Sequence, residues 1–427
     1  MKILVLGSGG REHALCHTFV RQGHQVWCLP GNGGTHAITE PLPAKWKNQD
    51  ENDYPKLADL VEDLRIDLTV VGPEAHLAKG IVDVFQSRGL SIFGPTREAS
   101  QLESSKSWSK EFMLKHQIPT ADCAICSTTK DARQAAKKMC DQSGGVVIKP
   151  SGLTAGKGVV CCESLKVAEN AIETIIDHKR FGEAGNKVIV EEYLQGKEIS
   201  ILAWCDGNIM IPMIPSQDHK RLHNQNKGPN TGGVGAYSPA PFVDEKTMEQ
   251  ISKEIIEKTN DALKKEGILY QGVLYFGIML TEQGPKVLEY NCRFGDPEAQ
   301  TVLPLIESDL AEVMMSCAKG ELEKQNIRWK PQVSCCVVMC SGGYPGGYHT
   351  GYAIEGLDSI KDESLVCFHA GTRESEEGVV TSGGRVLGVT GIGDTLEEAV
   401  KKAYSGVELI HFKDVHYRTD IAHQAFD

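Results

Sequence analysis

The first hundred residues alternate short apolar runs with longer stretches in which apolar positions recur at helical spacing. Each apolar run is followed by Gly or Pro, which predicts strands at residues 2–6, 25–29, 68–71 and 91–93. The stretches between them predict amphipathic helices, for example at residues 12–22 and 54–64. Strands and helices alternating at this spacing are typical of an open parallel sheet, so we expect an N-terminal α/β domain over residues 1–102.

The pattern changes after residue 102, where the spacing indicates antiparallel strands. A first group has predicted strands at residues 146–149, 159–162 and 188–192 and predicted helices at 130–139 and 164–178. A second group has strands at 198–205, 208–213, 273–280 and 286–290 and a helix at 246–266. A third has strands at 333–339 and 386–390 and a helix at 396–410. The predicted fold class is α/β with α+β: a two-part region over residues 103–325 follows the first domain, and a small C-terminal α+β domain covers residues 326–427.

Length and composition narrow the possible classes of protein. The chain of 427 residues is long enough for several domains, and 41% hydrophobic and 24% charged residues are ordinary for a folded protein. The net charge of −12 disfavours binding to nucleic acid, which needs a basic surface. No apolar run approaches the roughly 18 residues of a membrane span, and the first run is too short for a signal peptide. We expect a cytoplasmic protein.

Fourteen cysteines are spread along the chain and lie largely in apolar runs. This distribution is typical of reduced, buried thiols in the cytosol rather than of a disulfide framework. Cys123 and Cys126 have C-x-x-C spacing, but they lack the second pair of a structural zinc site and the strand-to-helix setting of a redox motif. The cysteines therefore indicate a cytosolic protein, and they do not predict a zinc site or a redox site.

Glycine-rich loops are the first candidate chemistry, because glycine makes up 44 of the 427 residues. Gly7 and Gly9 follow the first predicted strand, at the edge where open α/β sheets bind ligands. A dinucleotide fingerprint would need a third glycine where Glu12 stands, and no acidic residue ends the second strand. The amides of Gly9 and Gly10 at a helix start favour phosphate binding. Tight-turn glycines and a dinucleotide site are the alternatives.

A second glycine-rich loop covers residues 151–158 and includes Gly152, Gly156, Lys157 and Gly158. Its spacing fails the P-loop pattern, because three residues separate the first two glycines and no Ser or Thr follows the lysine. A glycine-rich loop between antiparallel strands can instead close over a triphosphate through its amides. Lys149, at the end of the preceding strand, would add a positive charge. A third such segment, residues 228–235, is by itself better explained as a flexible surface loop.

Two oxygen-bearing side chains share one face of the strand predicted near residue 290. Glu289 and Asn291 are two residues apart, so both point to the same side of an extended chain. A carboxylate and an amide oxygen suit Mg²⁺, which takes few protein groups together with phosphate oxygens and water. The charged stretch at residues 293–298 contains Gly and Pro, as a loop shaped for a ligand would, and Arg293 could hold a carboxylate through two hydrogen bonds. The alternative is a solvated strand edge.

Taken together, these motifs resemble a single family along nearly the whole chain. The matching segments are residues 4–14, 30–32, 71–74, 156–158, 217–221, 228–239, 289–298, 383–386 and 418–421. They look like those of the phosphoribosylamine–glycine ligases, also called glycinamide ribonucleotide synthetases, which are ATP-grasp enzymes of de novo purine synthesis. The resemblance implies an N-terminal α/β domain, a two-part ATP-grasp region whose mobile lid covers about residues 119–192, and a C-terminal domain.

The resemblance also implies a reaction: glycine, 5-phosphoribosylamine and ATP would give glycinamide ribonucleotide, ADP and phosphate through glycyl phosphate. The residues implied for ATP are Lys106, Lys149, Gly152, Gly156, Lys157, Gly158, Glu191 and Glu192. The two glutamates would face the adenine and its ribose. The residues implied for Mg²⁺ or Mn²⁺ are Glu289 and Asn291, and those for glycine are Arg293, Asp218 and Asp296. The residues implied for phosphoribosylamine are Gly9, Gly10, Asn32 and Glu74, and Lys220 is implied for substrate binding without a particular substrate.

Other functions remain as alternatives. Another ATP-grasp carboxylate–amine ligase or carboxylase would share much of the pattern, but residues 218–221 and 289–298 favour the first family. A non-catalytic nucleotide-binding regulator would be expected to lack Glu289, Asn291 or Lys149, and all three are present. A nicotinamide-dependent dehydrogenase is disfavoured by the missing third glycine. We expect small-molecule substrates and a monomer or weak homodimer.

Overall fold

The computed structural model describes residues 1–154, 158–376 and 378–426, so the predicted lid residues Gly156 and Lys157 lie outside the described residues. The N-terminal strands are β1 (Lys2–Gly7), β2 (Gln25–Pro30), β3 (Leu68–Val71) and β4 (Ile92–Phe93). They form a parallel sheet in the order β2-β1-β3-β4. The helices of this region are α1 (Gly10–Arg21), α2 (Thr35–Ile38), α3 (Tyr54–Leu64), α4 (Glu74–Ala78) and α5 (Ile81–Ser87).

The second sheet is antiparallel and is here called the lid sheet. Two helices lead to it, α6 (Gln101–Ser104) and α7 (Lys106–Lys115). Its strands are β5 (Cys123–Cys126), β6 (Val146–Pro150), β7 (Val160–Cys162) and β8 (Val188–Glu192), in the order β5-β8-β6-β7. Helices α8 (Thr129–Ser143) and α9 (Leu165–Ile172) pack on one face around a core that contains Ile148 and Val190. The opposite face is left for other contacts.

The central region contributes most of the remaining strands. They are β9 (Lys197–Asp206), β10 (Met210–Pro212), β11 (Gln217–Asp218), β12 (Arg221–His223), β13 (Lys227–Asn230), β14 (Gly235–Ser238), β15 (Gln271–Thr281) and β16 (Gly284–Asn291). Its helices are α10 (Glu245–Ile251), α11 (Glu257–Lys265), α12 (Ala299–Val302) and α13 (Leu310–Lys319). The central sheet has the antiparallel order β10-β9-β15-β16, and β12 pairs with β13 in a separate hairpin.

The C-terminal sheet joins strands from two parts of the chain. Its C-terminal elements are β17 (Val333–Cys340), β18 (Leu365–His369), β19 (Thr372–Ser375), β20 (Gly378–Thr381), β21 (Arg385–Gly393) and helix α14 (Leu396–Val407). The sheet order is β11-β14-β17-β21-β18, while β19 and β20 form a hairpin. Two strands of the central region therefore extend the C-terminal sheet, which ties these regions together.

The structure confirms the predicted fold class and adjusts several elements. Helix α1 begins at Gly10, two residues before its predicted start, because Gly9 serves as its N-cap. The helix predicted at residues 246–266 contains a π-helical segment, Ser252–Ile256, and the one predicted at 164–178 ends in another, Glu173–Asp177. Half of the glycine-rich segment 228–235 is strand, because residues 228–230 belong to β13 and residue 235 begins β14, and residues 231–234 connect the two. No helix within the described ranges is long and apolar enough to cross a membrane.

Candidate active site

A cluster of opposite charges lies on the open face of the lid sheet. Lys149 Nζ on β6 lies 2.8 Å from Glu191 Oε2 and donates to the Leu288 carbonyl at 3.2 Å. Lys110 Nζ on α7 lies 3.4 Å from the other oxygen of Glu191. Burial opposes the charge of Lys149, but Glu191 raises the pKa of this lysine above its ordinary value. An ammonium held charged in a buried setting is suited to phosphate oxygens.

The two glutamates at the end of β8 have different surroundings, because neighbours on a strand point to opposite faces. Glu191 is buried against Lys149 and Lys110. Glu192 is half-buried, and its Oε2 lies 3.5 Å from Lys286 Nζ on β16. The two glutamates therefore face different groups, with Glu191 paired to the two lysines, and their contact with the adenine and its ribose stays a prediction.

The start of the glycine-rich lid loop is attached to α7. Lys106 Nζ donates to the Gly152 carbonyl at 3.4 Å, and the Lys106 amide donates to the Ser151 carbonyl at 2.8 Å. The Ser151 hydroxyl donates to Ser107 Oγ at 2.8 Å. Burial lowers the pKa of Lys106. Gly158, the next described residue after Thr154, packs against Pro150 and Thr154.

Strand β16 brings Glu289, one of the two predicted metal ligands, to the same site. A single cavity is lined by residues of α7, the lid sheet and β16, among them Lys106, Lys149, Glu191 and Glu289. Burial opposes ionisation of Glu289, but the charges of Lys220 and Lys149 bring its pKa below the ordinary value. Asn291 Oδ1 accepts a hydrogen bond from Arg293 Nη2 at 3.2 Å. An ionised carboxylate and an amide oxygen fit Mg²⁺ or Mn²⁺.

Asp218 on β11 has an unused acceptor. Its Oδ1 is buried and receives no hydrogen bond from the described part of the chain. Burial and the nearby Glu298 carboxylate raise the pKa of Asp218 well above its ordinary value. Gly233 covers this oxygen with a backbone φ of +108°, and a β-carbon there would lie 2.6 Å from Oδ1. Lys220, two residues on, pairs with Glu198 and lies 3.9 Å from Glu289 Oε1.

Arg293 lies between two acidic residues. Its Nη2 is 2.9 Å from Glu103 Oε1, and its Nε is 3.5 Å from Glu74 Oε2. These carboxylates, after the opposing effect of burial, raise the pKa of Arg293. The Nε–H group is buried and makes no hydrogen bond within the described ranges. The structure thus brings together Glu74 and Arg293, which the sequence assigned to different substrates.

Acidic side chains meet the start of α1. The Gly9 amide donates to Glu12 Oε2 at 2.5 Å, and the Arg11 amide lies 3.4 Å from Asp296 Oδ2. Gly10 packs against Gln300, whose Nε2 donates to Asp296 Oδ1 at 2.8 Å. The charges of Arg385 and Arg11, against the effect of burial, lower the pKa of Asp296. Asp296 is engaged at the junction of three regions, so Asp218 is the better candidate for a ligand ammonium.

Asn32 has no side-chain group left for a ligand. Its Nδ2 donates to the carbonyls of Ser8 at 2.8 Å and His369 at 2.9 Å. Its Oδ1 accepts from the amides of Gly34 and Thr35, each at 2.9 Å. The side chain of Asn32 therefore braces the loop after β2, and its contact with phosphoribosylamine stays a prediction.

Sequence reasoning missed Lys110, Glu103 and Arg385. Lys110 follows Lys106 by four residues, so helical spacing could have placed both lysines on one face of α7. Arg385 lies in a segment that carried the resemblance but was given no role. Its Nη1 donates to the carbonyls of Asp296 at 2.6 Å and Gly232 at 2.7 Å. No local pattern around Glu103 indicates its contact with Arg293, because 190 residues separate the two.

The lid sheet and central sheet, with lysines and a carboxylate–amide pair between them, define an ATP-grasp protein. Residues 104–299 match the ATP-grasp (A) domain of phosphoribosylglycinamide synthetase. Residues 1–103 match the N domain of the same synthetase, and residues 334–424 match its C domain. The chain belongs to the phosphoribosylglycinamide synthetase family.

Individual proteins are similar to this chain over its whole length. The phosphoribosylamine–glycine ligase of Synechocystis sp. is 43% identical over 431 residues, which is 100% of both chains. The trifunctional purine biosynthetic protein adenosine-3 of Gallus gallus is 46% identical over 99% of this chain and 42% of its own length. The crystal structure of the Thermotoga maritima phosphoribosylamine–glycine ligase superposes with a TM-score of 0.80 at 32% identity, covering 99% of this chain and 100% of that one.

Proposed function

We infer that this chain is an ATP-dependent carbon–nitrogen ligase that joins glycine to 5-phosphoribosylamine in purine biosynthesis. A glycine carboxylate oxygen attacks the γ-phosphorus of ATP, which gives glycyl phosphate and ADP. The amine of phosphoribosylamine then attacks the carbonyl carbon, phosphate leaves, and the nitrogen loses one proton as the amide forms. The observation that carries this function is the buried cluster of Lys149, Glu191 and Glu289 between the lid and central sheets, in a chain that matches all three domains of this family, at residues 1–103, 104–299 and 334–424.

The residues proposed for ATP supply charge and position. Phosphoryl transfer depends on positioning and on electrostatic stabilisation of the moving phosphoryl group. Lys149 and Lys106 would bind phosphate oxygens, and Glu191 would keep Lys149 charged and oriented. Glu192 remains the candidate for the adenosine end. Glycines 152, 156 and 158 and Lys157 would close over the phosphates and keep water from the acyl phosphate.

A divalent cation is proposed at Glu289 and Asn291. Their oxygens suit Mg²⁺ or Mn²⁺, with ATP phosphate oxygens and water completing the coordination. When bound, the cation would neutralise charge on the β- and γ-phosphates. Lys220, 3.9 Å from Glu289 Oε1 and paired with Glu198, would keep the Glu289 carboxylate ionised and in place.

Glycine is proposed to bind between Asp218 and Arg293. The unused Oδ1 of Asp218 would accept from the ammonium. The Nε–H of Arg293, which lies 3.5 Å from Glu74 Oε2 without a hydrogen bond, would donate to the carboxylate. A buried Asp218 oxygen without a hydrogen bond is costly, so a ligand that donates to it would be favoured. Asp296 would act indirectly, through Gln300 and the start of α1.

Phosphoribosylamine is proposed to bind beside the start of α1, next to Gly9, whose amide donates to Glu12, and Gly10, which packs against Gln300. Glu74 lies next to Arg293, close to the proposed glycine site, and would meet the amine or the ribose. This arrangement would bring the nucleophilic nitrogen to the acyl phosphate.

Release of ADP tests the function directly. The assay contains ATP, Mg²⁺, glycine and freshly generated phosphoribosylamine, and each component is omitted in turn. The proposal expects ADP release only when both glycine and phosphoribosylamine are present. Turnover that requires bicarbonate instead would identify a carboxylase, and turnover indifferent to either substrate would exclude the ligase.

We also propose a cytoplasmic monomer or weak homodimer. Large exposed hydrophobic residues in the described ranges are scattered along the chain: Met1, Leu114, Val167, Leu269, Tyr348, Leu409 and Phe426. A stable interface is expected to bury a contiguous apolar patch. Sedimentation analysis at micromolar concentration is expected to give a mass near 46.6 kDa, whereas a concentration-independent dimer would contradict this proposal.

A further inference from the structure

The segment that carries Asp218 and Lys220 is attached to the C-terminal region along its length. We call residues 217–233 the substrate segment; it comprises β11, the β12–β13 hairpin and the turn that follows. His219, between the two candidate substrate residues, accepts a hydrogen bond at its Nε2 from the Ala422 amide at 3.2 Å. The backbone around the site is therefore held by residues near the end of the sequence.

Arg418 is the centre of this attachment, and its side chain is fully buried. Its Nη1 donates to the Arg221 carbonyl at 3.1 Å and to Asn226 Oδ1 at 2.9 Å, which links the first strand of the hairpin to its turn. Its Nε and Nη2 donate to the two carboxylate oxygens of Asp420 at 2.7 and 3.0 Å. A guanidinium held at two points by one carboxylate has little freedom to turn.

The turn of the hairpin is also fixed by the C-terminal residues. Gln225 and Asn226 have φ angles of 59° and 53°, which are uncommon for residues other than glycine and persist where the surroundings enforce them. Asp420 Oδ2 accepts from the Gln225 amide at 2.7 Å. Asn224 and Thr419 exchange two hydrogen bonds, at 2.6 and 3.1 Å. Without these contacts the left-handed turn would lose its support.

The far end of the substrate segment has a second attachment. Arg385 Nη1 donates to the Gly232 carbonyl, and the Gly232 amide donates to Tyr344 Oη at 3.1 Å. The next residue, Gly233, is the one that covers Asp218 Oδ1. The segment is thus fixed from the C-terminal region at residues 219–226 and at residue 232, and the candidate glycine-binding carboxylate, Asp218, immediately precedes the first of these attachments.

We propose that Arg418 is a positioning residue for glycine, which acts through the substrate segment without touching the reacting atoms. The proposal rests on the inferred ligase function and on Asp218 as the partner of the glycine ammonium. Loss of the Arg418 contacts frees the hairpin and displaces Asp218, while Lys106 and Lys149 on α7 and the lid sheet keep their places. Glycine binding is then weakened and ATP binding is not.

Two variants test this role with different demands on folding. Arg418→Met removes the guanidinium and keeps most of the side-chain volume. Asn226→Gly removes one acceptor of Arg418 at an exposed position, where glycine adopts the positive φ readily. The matched control is Arg328→Met, which removes an exposed arginine paired with Glu307. The KM values for glycine and ATP and the kcat are measured for each protein beside the wild type.

We expect KM for glycine to rise about tenfold in Arg418→Met and about threefold in Asn226→Gly, with KM for ATP within about twofold of wild type. Arg418→Lys should recover only part of the loss, because lysine cannot form the two-point contact. Hydrogen exchange of residues 219–233 should quicken in both variants.

The outcomes separate this proposal from the function on which it rests. If the wild type shows no glycine-dependent ADP release, the proposed function fails. If the wild type is active and Asn226→Gly has unchanged KM for glycine and unchanged exchange, the positioning role is wrong, whether or not Arg418→Met folds. Equal rises in both KM values would mean a general loss of structure and would also contradict it.

Discussion

At the scale of single residues, the ionised Glu289 is the group on which the proposed phosphoryl transfer depends most. Lys220 and Lys149 lower its pKa despite burial, so it is a carboxylate at neutral pH. We predict that Glu289→Gln lowers kcat by about two orders of magnitude or more, because an amide cannot supply the negative charge of a metal ligand.

The matched control is Glu282→Gln, at the exposed turn between β15 and β16. Steady-state kinetics over a range of Mg²⁺ concentrations should show a loss only in Glu289→Gln, with unchanged circular dichroism for both. Turnover near that of wild type in Glu289→Gln would refute the metal assignment.

Asp218 should make glycine binding depend on pH. Burial and Glu298 raise the pKa of Asp218. At a pH below this raised pKa, Asp218 is protonated and neutral in most molecules of the free enzyme. A glycine ammonium binds the ionised form, so binding must release a proton there. We predict that KM for glycine falls as pH rises, by up to about tenfold per unit below the raised pKa, and levels off above it.

Asp218→Asn is the comparison for that profile. It should bind glycine weakly at every pH and lose the slope, whereas KM for ATP should change little. A profile for Asp218→Asn that is parallel to the wild-type profile would assign the pH dependence to another group.

The directions of side chains could be predicted from the sequence wherever the period of a strand or helix determines them. The two-residue period of a strand placed Glu289 and Asn291 on one face, and the same period would have separated Glu191 from Glu192. The hydrogen-bond partners of the Asn32 side chain could not be predicted in this way, because they include the distant residue His369 as well as residues of its own loop. Contacts between distant segments have no local signal.

At the scale of elements, strand register decides which side chains of the lid sheet face the nucleotide. Cys123 pairs with Glu191, Glu191 with Val147, and Val147 with Cys161. Directly paired residues share a face, so both cysteines lie on the face that bears Lys149 and Glu191. Cys123 and Cys161 can therefore serve as chemical probes of the proposed nucleotide site.

We predict that ATP slows alkylation of Cys123 and Cys161 by a maleimide. Cys140 is the internal control, because it lies on α8, which packs on the opposite face, and it is likewise partly exposed. Burial raises the pKa of all three thiols, so slow reaction at neutral pH is expected for each. Peptide mass spectrometry with and without ATP and Mg²⁺ measures the rates.

Protection of Cys140 to the same extent would contradict the assignment of the two faces. Protection of neither Cys123 nor Cys161 would place the nucleotide elsewhere.

The elements themselves were largely predictable, but their partners were not. Helix α3 lies at the predicted bounds, because its apolar positions follow one period and Asp53 caps it. The pairing of β14 with β17 joins residues about a hundred positions apart. The register between such distant strands depends on tertiary packing. The periodicity of a single segment carries no information about which distant strand it pairs with.

At the scale of the whole molecule, buried histidines join the N-terminal and C-terminal regions. The His369 amide on β18 donates to His13 Nδ1 on α1 at 2.7 Å, and the ring of His17 packs against Phe368. Burial lowers the pKa of His17 and of His369 to about 4. Both are neutral in the folded protein at neutral pH.

Acid should therefore destabilise the junction of these regions. The pKa of these histidines in the folded protein lies below their unfolded value of about 6.5. The free energy of unfolding is therefore at its full value above pH 6.5 and decreases as the pH falls toward 4. The lowered pKa of His17 alone reduces the free energy of unfolding by about 2 kcal/mol at pH 5. We predict that the urea midpoint falls between pH 7 and pH 5 and falls less in His17→Gln.

His178→Gln, at an exposed position, is the control and should follow the wild type. An equal fall in wild type and His17→Gln would mean that the junction histidines do not govern acid stability.

The central claim is that glycine is activated as an acyl phosphate before it meets the amine, and oxygen transfer tests it most directly. Glycine labelled with ¹⁸O in both carboxylate oxygens is incubated with ATP, Mg²⁺, phosphoribosylamine and the enzyme, and the phosphate is analysed by mass spectrometry. The account predicts one ¹⁸O in each phosphate released and one in the amide product. Phosphate without ¹⁸O, formed together with the amide, would contradict it.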